Sequence, residues 1–474
     1  MVELKNVSFR YGSEEGHLEN EMSLTAVDLT VQTGEFVLLT GPSGCGKSTI
    51  LRLINGLIPH FYPGEMTGDV LIDGVPVRDR ALYELAPVTG TVFQNPRSQF
   101  YNVDTTGELA FACENMGLPE KEIYARIDET VARFQMEKLM DRNIFCLSGG
   151  EKQKIACASV DVAGTEIILL DEPSANLDYE ATLALRDLIM EWQCQGKTII
   201  AAEHRIAYLW DLIDRAVILQ GGRIVRELSG EEKDGLPADA LAAMGLRSNV
   251  PESAADIDLP AFCEGDEAMT LQDFRFTYPG EKGPVFDIHE LQLAVGKITA
   301  ITGANGIGKT SFLTCLCGLE RACKGTFIYK GKSRDRKARQ KLCFMVMQDT
   351  GHQLFTESVL EEVLISLPAG KGKPAPDETW AREILDRLDL TAFADRHPQS
   401  LSGGQKQRLA IACALASGRE IILLDEPTSG LDYAHMLETA ALLKTLRDMG
   451  TTVLVVTHDA ELIHACCERQ GTVL

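Results

Sequence analysis

Two stretches of this sequence carry glycines at one spacing, closed by a lysine and a hydroxyl residue. They are Gly41-Pro42-Ser43-Gly44-Cys45-Gly46-Lys47-Ser48-Thr49 and Gly303-Ala304-Asn305-Gly306-Ile307-Gly308-Lys309-Thr310-Ser311. A loop of this kind, set between an apolar strand and a helix, turns main-chain N–H groups toward phosphates. The helix behind it points the positive end of its dipole the same way. Lys47 and Lys309 would reach the outer phosphates, and Ser48 and Thr310 would hold Mg²⁺. One such match can arise by chance; two, each following an apolar strand, argue for phosphate binding.

Other reactive residues also occur in pairs. Asp171 and Asp425 end apolar runs, where a carboxylate can join a magnesium shell. Glu172 and Glu426 follow them, placed to take a proton from an attacking water. Gln94 and Gln348 follow further apolar runs and offer a neutral amide to metal and water. His204 and His458 follow later strands, within reach of a terminal phosphate. Leu147-Ser148-Gly149-Gly150-Glu151 recurs as Leu401-Ser402-Gly403-Gly404-Gln405. In each, the serine is a helix N-cap candidate, and bare glycines leave room for a second anion. Tyr11 and Tyr278, upstream of the loops, could stack on a nucleobase or serve only as packing residues. Cys45 is a small filler, because its counterpart is Ile307.

Sequence offsets join these features into one repeated unit. Gln94 to Gln348, Glu172 to Glu426 and His204 to His458 are each 254 residues apart, whereas Lys47 to Lys309 is 262. The first copy therefore holds eight extra residues between Lys47 and Gln94, around Ile58–Gly64. Ile167–Leu170, Thr198–Ala202, Ile421–Leu424 and Thr452–Val456 read as parallel strands covered on both faces. Glu35–Thr40 and Lys297–Thr302 read as the strands that lead into the glycine loops. Ligands of such sheets gather beyond the carboxyl ends of the strands, where all these residues fall. The expected class is α/β. The expected domains are 1–229 and 269–474, with 230–268 as a solvated acidic linker that has room for a short helix at Ala238–Met244. That linker holds ten acids against Lys233 and Arg247.

The whole chain has 474 residues and a formal charge of −23. That acidity argues against a general nucleic-acid binder. No run approaches 18 apolar residues, and the first residues lack the pattern of a secretory leader. The 13 cysteines show no C-x-x-C pair, which suggests reduced thiols in a cytosolic setting.

Taken together, the glycine loops, the Ser-Gly-Gly segments, the Ile-Ile-Leu-Leu-Asp-Glu-Pro runs and the turns ending at Asp178 and Asp432 resemble the ATP-binding cassette (ABC) ATPases over nearly the whole chain. The resemblance implies two tandem P-loop NTPase domains, each with a parallel-sheet core and a helical subdomain. It also implies ATP and Mg²⁺ as ligands. Within this family each ATP lies between the glycine loop of one domain and the Ser-Gly-Gly segment of the other, which implies an intramolecular pseudo-dimer here. One site would then pair Lys47 and Glu172 with Ser402–Gly404, and the other Lys309 and Glu426 with Ser148–Gly150. Glu151 would bring a carboxylate near the second nucleotide and make the two sites unequal.

The Gln94–Tyr101 run and Asn55–Tyr62 resemble the energy-coupling factor (ECF) importers of vitamins or transition-metal ions. That implies a membrane T-component and a substrate-binding S-component as partners. It also implies a peripheral place on the cytoplasmic face of the membrane, and no nucleic acid. The tandem ATPase of another importer, such as one for sugars, and a tandem factor acting on ribosomes or nucleic acid are the alternatives.

Overall fold

The computed structural model describes residues 1–12, 22–260, 262–263, 265–281, 283–368 and 377–472. The chain forms two compact units, divided between Pro251 and Glu252. The first unit contains β1 (Val2–Tyr11), β2 (Leu24–Val31), β3 (Phe36–Thr40), β4 (Gly64–Ile72), β5 (Val75–Pro76), β6 (Thr89–Val92), β7 (Ile167–Asp171), β8 (Thr198–Ala202), β9 (Arg215–Gln220) and β10 (Arg223–Ser229). β2-β1-β4-β5 form an antiparallel sheet. A second sheet has the order β10-β9-β3-β8-β7-β6 and is parallel except for the β9–β10 pair.

The apolar runs are explained by what covers each face of the parallel sheet. Side chains alternate across a strand. Phe36, Leu38, Ile168, Leu170, Ile199 and Ala201 bury into a core shared with the helices Thr105–Asn115, Glu120–Arg133 and Gly149–Ala163. Val37, Leu39, Ile167, Leu169, Ile200 and Ala202 bury on the opposite face, against the antiparallel sheet and the helix Lys47–Ile54. With no wet face, these strands are apolar through Phe36–Leu39, Ile167–Leu170 and Ile199–Ala202.

The second unit repeats the plan with β11 (Ala268–Phe276), β12 (Phe286–Ala294), β13 (Ile298–Thr302), β14 (Lys324–Tyr329), β15 (Lys332–Ser333), β16 (Cys343–Val346), β17 (Ile421–Asp425), β18 (Thr452–Val456) and β19 (Arg469–Thr472). Its antiparallel sheet is β12-β11-β14-β15, and its parallel sheet is β16-β17-β18-β13-β19. Its helical layer is Val359–Ser366, Glu378–Arg387 and Gly403–Ala416, around Val363, Ile384, Leu409 and Ala412. The α/β class with two parallel-sheet cores and two helical layers is as expected.

Among the described residues of 230–268, many are exposed, but a few are buried against the units. The helix Ala238–Ala243 forms where a short helix was expected, and its Leu241 is buried with Leu246 in the first unit's core. Lys233 Nζ donates to the Trp210 carbonyl at 2.8 Å. Beyond the division, Ala254 and Ile257 pack with Ala300, Ala460 and Ile463 in the second unit. Asp266 pairs with Arg469 at 3.0 Å. The acids dominate its composition, but a few apolar side chains decide where it lies. Leu241→Ala is therefore expected to destabilise the first unit by about 2–5 kcal/mol. An unchanged thermal melt of the full chain would mean that the segment is only a tether.

Candidate functional site

Each glycine loop is shaped by backbone that other residues resist. Gly46 and Gly308 stand immediately before the helices Lys47–Ile54 and Lys309–Leu316, with φ of 103° and 101°. A Cβ on Gly46 would come within 2.5 Å of Leu24 Cδ2, and one on Gly308 within 2.4 Å of Val285 Cγ1. Only glycine satisfies both demands. No side chain caps either helix. The first-turn N–H groups therefore remain available to an anion.

Lys47 is 4% exposed. Its Nζ donates to the Gly41 and Pro42 carbonyls at 3.0 and 3.1 Å and lies 3.2 Å from His204 Nε2. Among the described residues no carboxylate pairs with it within 4.0 Å. Lys309 Nζ makes the same contacts, with Gly303 O at 2.7 Å, Ala304 O at 2.9 Å and His458 Nε2 at 3.0 Å.

Behind the loop, Ser48 Oγ donates to Asp171 Oδ1 at 2.7 Å, and Thr310 Oγ1 donates to Asp425 Oδ2 at 2.6 Å. Hydroxyl and carboxylate oxygens side by side are the hard donors that magnesium prefers, so these residues fit the ion that such a site implies. Burial pushes both aspartyl carboxyls above their usual range. The Ser48 and Thr310 hydroxyls and the nearby lysines offset part of that shift.

Glu172 and Glu426 come directly after these aspartates, in left-handed backbone with φ of 45° and 48°. That conformation costs of order 1–3 kcal/mol in a non-glycine residue. Their N–H groups donate to Ala202 O at 2.8 Å and to Val456 O at 2.9 Å, which pins the bend to the neighbouring strand. Glu172 Oε1 lies 3.3 Å from His204 Nε2, and Glu172 Oε2 accepts from Gln94 Nε2 at 2.6 Å. Glu426 Oε1 lies 3.3 Å from His458 Nε2. The same histidine nitrogen thus faces a lysine and a glutamate. A neutral ring can accept from the first or donate to the second, but cannot do both with one nitrogen.

Each unit thus gathers the lysine, hydroxyl, aspartate, glutamate and histidine singled out in the sequence at the carboxyl ends of its strands. Gln94 joins the first group, and Gln348 follows β16 as Gln94 follows β6. Tyr11 and Tyr278 hold the helix behind the loop. Tyr11 Oη lies 3.3 Å from Thr49 Oγ1, and Tyr278 Oη lies 2.6 Å from Ser311 Oγ. The eight extra residues of the first copy press on Tyr11. Tyr62 meets it edge-on at 6.1 Å, while Arg52 lies over Tyr62 and donates to Tyr11 Oη at 3.0 Å. Tyr278 is the more exposed of the two.

Ser148 and Ser402 are the N-caps of the helices Gly149–Ala163 and Gly403–Ala416. Glu151 Oε2 accepts from Ser148 N at 2.8 Å, and Gln405 Oε1 accepts from Ser402 N at 2.9 Å. Both close a capping box. Glu151 also lies 3.6 Å from Arg142. Its carboxylate is therefore engaged at its own helix start, as the Gln405 amide is, and the two copies differ there in charge more than in shape. A Cβ on Gly403 would meet nothing within 4 Å, so packing does not explain its glycine.

Two acids, Glu203 and Asp459, were not singled out in the sequence. Glu203 accepts from Ser174, and Asp459 from Thr428. The signal was a mismatch at the 254-residue offset, where Glu203-His204-Arg205 faces Thr457-His458-Asp459.

Fold and site define a P-loop ATPase cassette, present twice. The comparisons agree. The sequence profile described as "ABC transporter" matches residues 24–175 and 286–429. A putative ABC transporter ATP-binding protein of Treponema denticola is 42% identical over 99% of this chain and 94% of its own length. One from Methanosarcina mazei is 31% identical over 100% of this chain and 88% of its own length. The chain belongs to the ABC transporter family as a tandem ABC ATPase, a class for which ATP hydrolysis is implied. Among solved structures, an archaeal ribosome recycling factor crystallised with a ribosomal stalk protein is similar in fold. Its TM-score is 0.64 at 21% identity, over 98% of this chain and 87% of that one. The RNase-L inhibitor gives 0.62 at 22%, over 99% and 87%.

The buried aspartates set a stability cost whose sign is fixed. A carboxyl with a raised folded pKa favours the fold while protonated, and that advantage is lost as pH rises through the folded value. Above that value the fold carries the full cost. Asp425→Asn, whose amide oxygen still accepts from Thr310, is expected to melt higher than wild type at pH 8. The difference should shrink as pH falls through the raised carboxyl value. A lower melting temperature at pH 8 would contradict this account.

Proposed function

We propose that this chain is the ATP-hydrolysing subunit of an ECF-type importer for a vitamin or a transition-metal ion, seated on the cytoplasmic face of the membrane. The observation that carries the transport reading is apolar surface on both helical layers, a few residues after Gln94 and Gln348. Tyr101 is 78% exposed and stacks on Phe111 at 4.7 Å, with Val103 and Phe145 also exposed. In the second unit Phe355, 73% exposed, stands at the Tyr101 position, and Ile365 is exposed as well. Apolar side chains left outside on corresponding surfaces suit a protein partner. No helix among the described residues is long and apolar enough to cross a membrane. The T-component and S-component would supply the membrane path. The relatives' naming as transporter ATP-binding proteins supports the same reading.

In the reaction, the loop N–H groups and Lys47 or Lys309 hold the phosphates of ATP. Glu172 or Glu426 takes a proton from water as its oxygen adds to the γ-phosphorus. The bond from that phosphorus to the β–γ bridging oxygen breaks, and ADP leaves. A phosphate that engages the lysine frees the histidine nitrogen to donate a hydrogen bond toward the phosphate or the glutamate. Magnesium, held by Ser48, Asp171 and Gln94 or by Thr310, Asp425 and Gln348, supplies positive charge against the phosphates when bound. Ser402–Gly404 would complete the first site and Ser148–Gly150 the second, in an intramolecular pair. ATP then favours the closed pair through contacts made only there, and hydrolysis releases it.

Glu172→Gln combined with Glu426→Gln should leave ATP binding intact and cut phosphate release by about 10²–10⁴-fold. Turnover near wild type would exclude these glutamates as the base. Partnering is tested separately with Tyr101→Asp plus Phe355→Asp in source cells. The variant is expected to leave the membrane fraction while the purified chain keeps its ATPase rate. Wild-type chain that sediments with ribosomes, and not with membranes, would overturn the importer reading.

A further inference from the structure

The base and the histidine of each site stand on different strands, so something must fix the loop after β7 against the loop after β8. We propose that Glu203 is the positioning residue that performs this task in the first site, and that Asp459 performs it in the second from the opposite side of the histidine. The inference rests on the ATPase reading of these sites and adds a side-chain tie to the main-chain bonds from Glu172 N to Ala202 O and from Glu426 N to Val456 O.

Glu203 is 2% exposed, and five donors converge on its carboxylate. Oε1 accepts from Ser174 N at 3.1 Å, from the Ser174 hydroxyl, and from Tyr208 Oη at 3.1 Å. Oε2 accepts from His204 N at 2.8 Å and Arg205 N at 3.3 Å. Ser174 lies two residues beyond Glu172, the residue held in left-handed backbone. One carboxylate thus grips the chain just after the base and the main chain of the histidine itself. Burial pushes this carboxyl up, and the hydrogen bond from Ser174 works against that shift.

The second unit makes the same tie with a different residue. At the 254-residue offset Ser174 becomes Thr428, Glu203 becomes Thr457, and Arg205 becomes Asp459. Thr428 Oγ1 donates to Asp459 Oδ2 at 2.7 Å. Asp459 N donates to Thr457 Oγ1 at 3.0 Å. Asp459 Oδ1 accepts from Leu462 N at 3.3 Å and caps the helix Ala460–Cys466. The acid has crossed from one side of the histidine to the other, and the hydroxyl it holds has kept its place. A residue needed only to fill a buried space would have no reason to be replaced by an acid two positions away that reaches the same hydroxyl. The ties also differ. Glu203 spends its carboxylate inside the two loops, whereas Asp459 shares its own with a helix end, so the second tie is coupled to that helix.

The test uses the full chain with both sites intact and reads kcat, KM for ATP and melting temperature. Glu203→Gln replaces one acceptor oxygen with an NH₂ group that faces donors. It is expected to lower kcat at least fivefold, with KM within threefold of wild type. Glu203→Thr with Arg205→Asp rebuilds the second site's arrangement in the first. This pair should return kcat to within threefold of wild type, while each single change does not. If Glu203→Gln fails to fold, Ser174→Ala cuts the same tie from its other end and is expected to lower kcat with little change in KM. A kcat within twofold of wild type in whichever of these two variants folds would overturn the proposal. So would a paired variant no faster than Glu203→Thr alone. Wild-type chain that releases no phosphate from ATP would instead sink the ATPase reading on which the proposal stands.

Discussion

A buried ammonium with no carboxylate partner among the described residues is the constraint around which the first half of this molecule is arranged. In the first unit Lys47 is held by two carbonyls and a histidine nitrogen, and none of these neutralises its charge. Burial of an unpaired charge is expensive, and a protein keeps one where an arriving anion is meant to complete it. The neighbours follow from that need. The loop curls so that its carbonyls reach back to the lysine, which forces left-handed backbone at Gly46. The helix begins without a side-chain cap, leaving its N–H groups directed toward the same place.

The parallel sheets supply what the lysine lacks by itself. Their central strands bury apolar side chains on both faces, and acidic residues come in at the carboxyl edge. Asp171 and Glu172 arrive there side by side with opposite requirements. The aspartate is buried against a hydroxyl, while the glutamate is turned into strained backbone and left near the histidine. Both features cost stability in the empty protein. Such costs are common where a site is organised for a charged ligand. Main-chain bonds to Ala202 and Val456 hold the strained turns, and Glu203 and Asp459 add a second tie from one loop to the next through a serine or threonine.

Much of this was legible in the sequence because it is local. Glycine spacing, strand-end acids and a helix-capping serine each depend on residues within a few positions of one another, and their recurrence at a fixed offset identified the repeat. What escaped depends on distant packing. Leu241, Leu246, Ala254 and Ile257 are four apolar residues in a strongly acidic stretch, and composition alone favoured a solvated linker over one that is anchored. Glu203 looked unremarkable because its partner Ser174 lies 29 residues away. Its counterpart in the second copy is not an acid at all. The charge of Glu151 was visible, but its engagement with its own helix start was not, and Gln405 shows that the same geometry needs no charge.

Equilibrium binding of a non-hydrolysable ATP analogue to the full chain tests the central claim most directly. If each buried lysine awaits a triphosphate, the wild-type chain takes up two molecules of analogue. Lys47→Ala and Lys309→Ala take up one each, and the double variant takes up none. A Lys47→Ala chain that still binds two molecules with wild-type affinity would contradict the account, because the charge at its centre would then have no bearing on the ligand.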